Sequence, residues 1–145
     1  MIIAPATPAG VSAVAVIRLS GRGVHDLVRA IFRPYRAKKM AYYKLYLGNI
    51  IEPESKEPID QVLAVLMPPP HTYTGEELAE IHTHGNPRIV EAVMNLAIRR
   101  GARLARPGEF SERAFLEGKM DLLQVEALSA LLSNEVMAQE GGFLR

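Results

Sequence analysis

Cysteine is absent from all 145 residues. That excludes a disulfide scaffold, a thiolate metal site, a cysteine nucleophile and thiol redox chemistry within this chain. Long hydrophobic runs are absent too: nothing approaches the roughly 18–20 consecutive apolar residues that span a bilayer as a helix. The opening Met1-Ile2-Ile3-Ala4-Pro5 has no basic lead and is soon interrupted by Pro and Gly, so it does not read as a secretory signal. A reducing, cytoplasmic setting without a membrane partner is the resulting expectation. Two catalytic signatures are also missing. Gly118-Lys119 is followed by Met120 and lacks the preceding glycine of Gly-x-x-x-x-Gly-Lys-Ser/Thr. There is therefore no P-loop to aim backbone N–H groups at phosphates. No Gly-x-Ser-x-Gly elbow occurs, which leaves hydrolase chemistry of that kind unsupported.

What is present suits one globular domain, with 48% apolar and 23% charged residues. The charges nearly cancel, 17 Lys+Arg against 16 Asp+Glu, but they are unevenly placed. Residues 1–50 carry eight cations (Arg18, Arg22, Arg29, Arg33, Arg36, Lys38, Lys39 and Lys44) against the single acid Asp26. The remainder carries nine cations against fifteen acids, so the two parts sum to +7 and −6. Such a split fits a nucleic-acid face, or two opposite surfaces that meet within one domain or between protomers. The second reading is preferred, because no RNA-binding signature or interleaved aromatic ladder accompanies the basic part.

Val11–Ser20, with little polar relief, predicts a strand buried on both faces. Gly21-Arg22-Gly23 breaks it, and Leu27, Val28, Ile31 and Phe32 recur at helical spacing. Tyr42–Ile51 and Ile59–Met67 read as two strands of a hairpin across the turn-forming 52–58 stretch. Leu78–His84 reads as a short strand. Asn86 then caps a helix with Pro87 in its first turn, and Gly101 ends it. Arg103–Ala105 is a candidate short strand, and Asp121 can cap a last helix with apolar positions from Leu122 to Leu132. Strands and helices in this order predict an α/β or α+β domain.

Three constellations could carry chemistry. In Glu80-x-His82-x-His84, strand alternation lines a carboxylate and two imidazoles along one face. Zinc or iron uses such donors, with His71 or Glu76 to complete the set, while the alternative is two ordinary strand histidines. His71-Thr72-Tyr73-Thr74-Gly75-Glu76-Glu77 is a polar loop that places carboxylates near a Gly turn. The most informative block is Ala105 to Leu122, where charges, two glycines and two aromatics are dense. It reads either as a shaped site or as a salt-bridged helix with a turn at Gly118.

Taken together, Ala6-Thr7-Pro8-Ala9-Gly10, Ile17-Arg18-Leu19-Ser20-Gly21, Tyr73-Thr74-Gly75-Glu76-Glu77, His84-Gly85 and the Arg106–Asp121 block resemble the N-terminal part of the MnmE (TrmE) family of tRNA-modification GTPases. The resemblance runs to about Leu132, and Pro107-Gly108-Glu109-Phe110-Ser111-Glu112-Arg113-Ala114-Phe115-Leu116 is its most specific run. It implies a tetrahydrofolate-binding and dimerisation domain over residues 1–120, similar to the folate domain of glycine-cleavage aminomethyltransferases. Residues 121–145 would then begin a helical domain. In the family a GTPase domain, which uses GTP with Mg and K, is inserted into that helical domain. With the flavin-dependent partner MnmG (GidA), such proteins modify carbon 5 of the wobble uridine in tRNA. The one-carbon unit comes from 5-formyl- or methylene-tetrahydrofolate.

Carried over by position, the family's folate contacts fall on Arg18, Glu80 and Lys119. One carboxylate can accept the amino group and ring N–H of a pterin in parallel, which suits Glu80. Arg18 and Lys119 suit the pterin carbonyl, the formyl oxygen or the glutamate tail. Under this reading the Glu-x-His-x-His set binds no metal, and His82 and His84 are wall or supporting residues. One departure is Asn86, where the family usually has a second glycine. The resemblance fades past Ala138, so the expectation is a piece of a longer protein that does not hydrolyse GTP by itself. The apolar Leu122–Leu132 helix, with nothing later to cover it, adds an expectation of self-association.

Overall fold

The computed structural model of the protein describes residues 1–118. Lys119 and the proposed helix capped by Asp121 lie outside the described residues. The elements run β1 (Ile2–Pro5), β2 (Val14–Ser20), α1 (Val24–Ile31), β3 (Phe32–Pro34), β4 (Tyr46–Ile51), β5 (Pro58–Met67), β6 (Leu78–His84), α2 (Pro87–Arg99), β7 (Arg103–Leu104) and α3 (Glu109–Leu116). One sheet of seven strands takes the order β3-β4-β5-β6-β2-β1-β7. Every neighbouring pair is antiparallel except β1 with β7, which is parallel. The result is a mixed α+β domain, and among the described residues no helix is long and apolar enough to cross a membrane.

The core lies on one face of this sheet. Ile17 and Leu19 of β2, Ala64 and Leu66 of β5, and Ile81 of β6 meet Val24, Val28 and Ile31 of α1 and Val93, Leu96 and Ala97 of α2. α1 and α2 cover that face, while α3 stands beside Arg18 on the other. Consequently β2 alternates, with Ala15, Ile17 and Leu19 buried while Val14 stays exposed and Val16 and Arg18 are half-buried. The expectation of a strand buried on both faces is corrected: small apolar residues here mark a partly open outer face.

Other boundaries move for local reasons. The strand expected from Tyr42 starts at Tyr46, because Tyr43 adopts a left-handed φ of 59° and turns its N–H to the Leu66 carbonyl. Phe32, grouped with α1 by spacing, opens β3 instead, since Pro34 disfavours helical backbone at Arg33. α2 follows the local code closely. The Asn86 side chain accepts the Arg88 N–H at 2.9 Å, and Gly101 adopts φ 109° beyond the last turn. The asparagine at this position is thus the helix cap. α1 has no such residue, since Gly23 precedes it, and Glu77 reaches over to accept the Gly23 and His25 N–H groups. A carboxylate there also suits the positive end of the helix dipole.

Candidate functional site

β2 and β6 are neighbours, and their register sets Arg18 directly opposite Glu80 on the open face. Arg18 donates from Nη2 and Nε to Glu80 Oε2 at 3.1 and 3.3 Å. The other carboxylate oxygen, Oε1, accepts from His82 Nε2 at 3.0 Å. Burial works against a charged Glu80, but the hydrogen bonds from His82 and Arg18 outweigh it and hold its carboxyl below the usual carboxylate range. The carboxylate is therefore an anion at neutral pH, and the guanidinium is held in one orientation.

The Glu-x-His-x-His set does not converge. His84 turns away to Asp60, whose Oδ1 accepts the His84 Nδ1–H at 2.8 Å while Oδ2 accepts its backbone N–H at 2.9 Å. Among the described residues no group of three His, Asp or Glu side chains is placed to hold a metal ion. Strand alternation alone does not reveal this, because the competing carboxylate comes from β5.

Beside Arg18 opens a cavity of about 590 Å³, walled by Ala4, Pro5, Arg18, Tyr73, Arg106 and Phe110, among others. The Arg18 guanidinium sits 5.8 Å from the centre of the Tyr73 ring. Glu80 is not in this wall; it stands behind Arg18. The volume falls in the range of small-molecule sites, and mostly apolar walls with a few fixed polar groups are typical of them.

Two stretches distant in sequence build the far wall. The Tyr73 and Ser111 hydroxyls share a hydrogen bond of 2.9 Å, and Arg113 Nη1 donates to both oxygens of Glu76 at 3.1 Å. Glu76 also accepts from the Ser20 hydroxyl at 2.8 Å, which anchors the loop to the end of β2. Glu109 is the hub of this wall, only 2% exposed yet flanked by Arg103, Arg106 and Arg113. It accepts from Arg103 Nη1 at 3.0 Å and from the Arg106 backbone N–H at 2.9 Å. The Arg103 hydrogen bonds outweigh burial and, with those from Arg106, hold the Glu109 carboxyl down at about 2. The dense Arg106–Leu116 block is thus both a salt-bridged helix and one side of a shaped site. Tyr73, Arg106, Phe110 and Ser111 were not singled out individually from the sequence. Their only signal was membership in two polar segments that the fold brings together.

Of the three positions carried over from the resemblance, Arg18 and Glu80 are in direct contact, and Lys119 lies just past the described residues. The described site and its stitching belong to the part of the chain that matches a known family. The family described as "GTP-binding protein TrmE N-terminus" matches residues 1–119. A tRNA modification GTPase MnmE of Aquifex aeolicus is 46% identical over 132 residues, covering 91% of this chain and 29% of that protein. A protein of the same name from Geotalea uraniireducens is 43% identical over 127 residues, 88% of this chain and 28% of its own length. Another from Thermus thermophilus is 41% identical over 134 residues, 92% of this chain and 31% of its own length. The chain thus spans under a third of these relatives, and over that span it belongs to the TrmE N-terminus family of GTP-binding proteins.

Proposed function

We propose that this chain is the tetrahydrofolate-binding and dimerisation part of a tRNA-modification GTPase. The single observation that carries the folate reading is the cavity of about 590 Å³ with Arg18 in its wall, fixed from behind by Glu80. A reduced folate is a long, flat ligand with a polar pterin edge and an aromatic middle. Tyr73 and Phe110 offer ring surface for such a body, and the chain's polar groups fit its edge. Arg18 has N–H groups beyond the two spent on Glu80, free to meet a carbonyl or carboxylate. Glu80 does not line the cavity and acts through Arg18, whose guanidinium it holds in place with His82 on its other oxygen. Lys119 would add a second cation from the chain that follows α3. Bound 5-formyl- or methylene-tetrahydrofolate would supply a one-carbon unit. Modification at carbon 5 of the wobble uridine would be completed with a flavin-dependent partner, MnmG, and GTP would be hydrolysed by a domain outside these residues.

Titration calorimetry with 5-formyltetrahydrofolate tests the reading. Arg18→Ala and Glu80→Ala should each weaken binding by about tenfold or more, as expected when a charged hydrogen bond is lost. Folded protein that gives no heat of binding, or binding indifferent to both substitutions, sinks it.

Self-association is supported by the open face of the sheet. Val14, Leu47 and Leu63 are exposed at 53%, 48% and 36%. They stand on strands whose other face is already packed, and a second copy laid on this face would bury them.

A further inference from the structure

We infer that a basic cleft beside α1 and β3, away from the folate cavity, is a binding site for the phosphate backbone of RNA. The inference rests on the tRNA-modification reading above. The cleft holds about 520 Å³, and its wall carries four cations, Arg29, Arg33, Lys38 and Lys39. Between them lie Phe32 and Met40. Cations gathered over low-dielectric walls reinforce one another's potential and attract polyanions.

The protein itself does little to neutralise them. Among the described residues the one carboxylate in ion-pair range is Asp26, 3.6 Å from Arg29 and 92% exposed. Arg33 spends Nη1 on the backbone carbonyls of Arg29 and Phe32, which orients its guanidinium without cancelling its charge. Lys38 and Lys39 are both exposed. Mutual repulsion of four close cations disfavours the folded state slightly, and a run of phosphates relieves it.

A second feature points to RNA in place of an acidic protein. Tyr35, Tyr42 and Tyr43 expose 48%, 47% and 55% of their surface in the connection between β3 and β4 that also carries the lysines. These tyrosines stand outside the cleft wall, on the connection that carries Lys38 and Lys39, and exposed rings there offer stacking surface to unpaired bases. The basic part of the sequence has no interleaved aromatic ladder, but its connection between β3 and β4 leaves these rings exposed.

The test measures binding of an unmodified tRNA transcript to the whole 145-residue chain by fluorescence anisotropy across a salt series. Two variants lose the same charge: K38E/K39E in the cleft, and R88E/R99E on the surface of α2. The cleft variant should lose about tenfold or more in affinity and lower the salt slope by about one to two. The α2 variant should retain nearly all its affinity. Equal losses in both variants, or none in the cleft variant, overturn the proposal. RNA affinity retained by the cleft variant with loss of binding to the flavin-dependent partner assigns the cleft to a protein, and overturns it too. Calorimetry with 5-formyltetrahydrofolate on the same variants should match the unaltered chain. Folate binding intact with tRNA binding unchanged would thus sink this inference alone, and loss of folate binding in the unaltered chain would sink the earlier reading.

Discussion

Glu109 shows how much one side chain can organise. Three arginines surround it, and it is almost fully removed from water. Its folded carboxyl titrates near about 2 against an ordinary 4.5, so the folded state binds its proton less readily than the unfolded chain. The stability this contributes is fully present above 4.5 and is lost as pH falls through about 2. Glu109→Gln should cost about 3 kcal/mol at neutral pH, since it leaves the arginines facing a neutral amide. Urea unfolding at a series of pH values should show the gap between the two proteins closing toward acid; a constant gap would argue against the charge. Arg18→Lys makes a different point. It keeps the charge but loses the fork held by Glu80, so a folate affinity lower than in the unaltered protein is expected from calorimetry.

Among the elements, α2 and the β4–β5 hairpin were legible in the sequence because their signals are local. Asn86, Pro87 and Gly101 say where a helix starts and stops whatever surrounds it. β1 and β3 were not legible. Ile2–Pro5 and Phe32–Pro34 are short, and neighbours reached from far along the chain make them strands. The site shows the same division. Arg18 and Glu80 drew attention through motifs, but their contact joins residues 62 apart, and the Tyr73–Ser111 bond joins residues 38 apart. No periodicity reports such pairs. Three substitutions test the local claims around α2. Asn86→Ala should lower stability by about 1 kcal/mol and the melting temperature by several degrees, with Asn86→Gly costing only a few tenths. Gly85→Ala should cost more, about 2 kcal/mol, because its Cβ would fall 2.0 Å from the Ser12 carbonyl oxygen. Thermal unfolding of the three variants ranks them directly.

Across the whole molecule, α1 and α2 cover one face of the sheet, and the other is left partly bare away from α3. If that bare face joins two copies, L47D/L63D should yield a folded monomer, since both residues are exposed in the single chain. Light scattering with circular dichroism checks this: a dimer that persists places the interface elsewhere. The sheet also ties distant parts of the chain together. β1 is flanked by β2 on one side and by β7 on the other, and the Arg103 N–H closes onto the Met1 carbonyl. During synthesis on the ribosome, Ile2–Pro5 emerges long before Arg103–Leu104. Until that last short strand arrives, one margin of β1 stays unzipped and ready to pair with any passing backbone. Nascent chains stalled before residue 103 should therefore be the most prone to clump, and a chaperone that shields the first strand would help most in that interval.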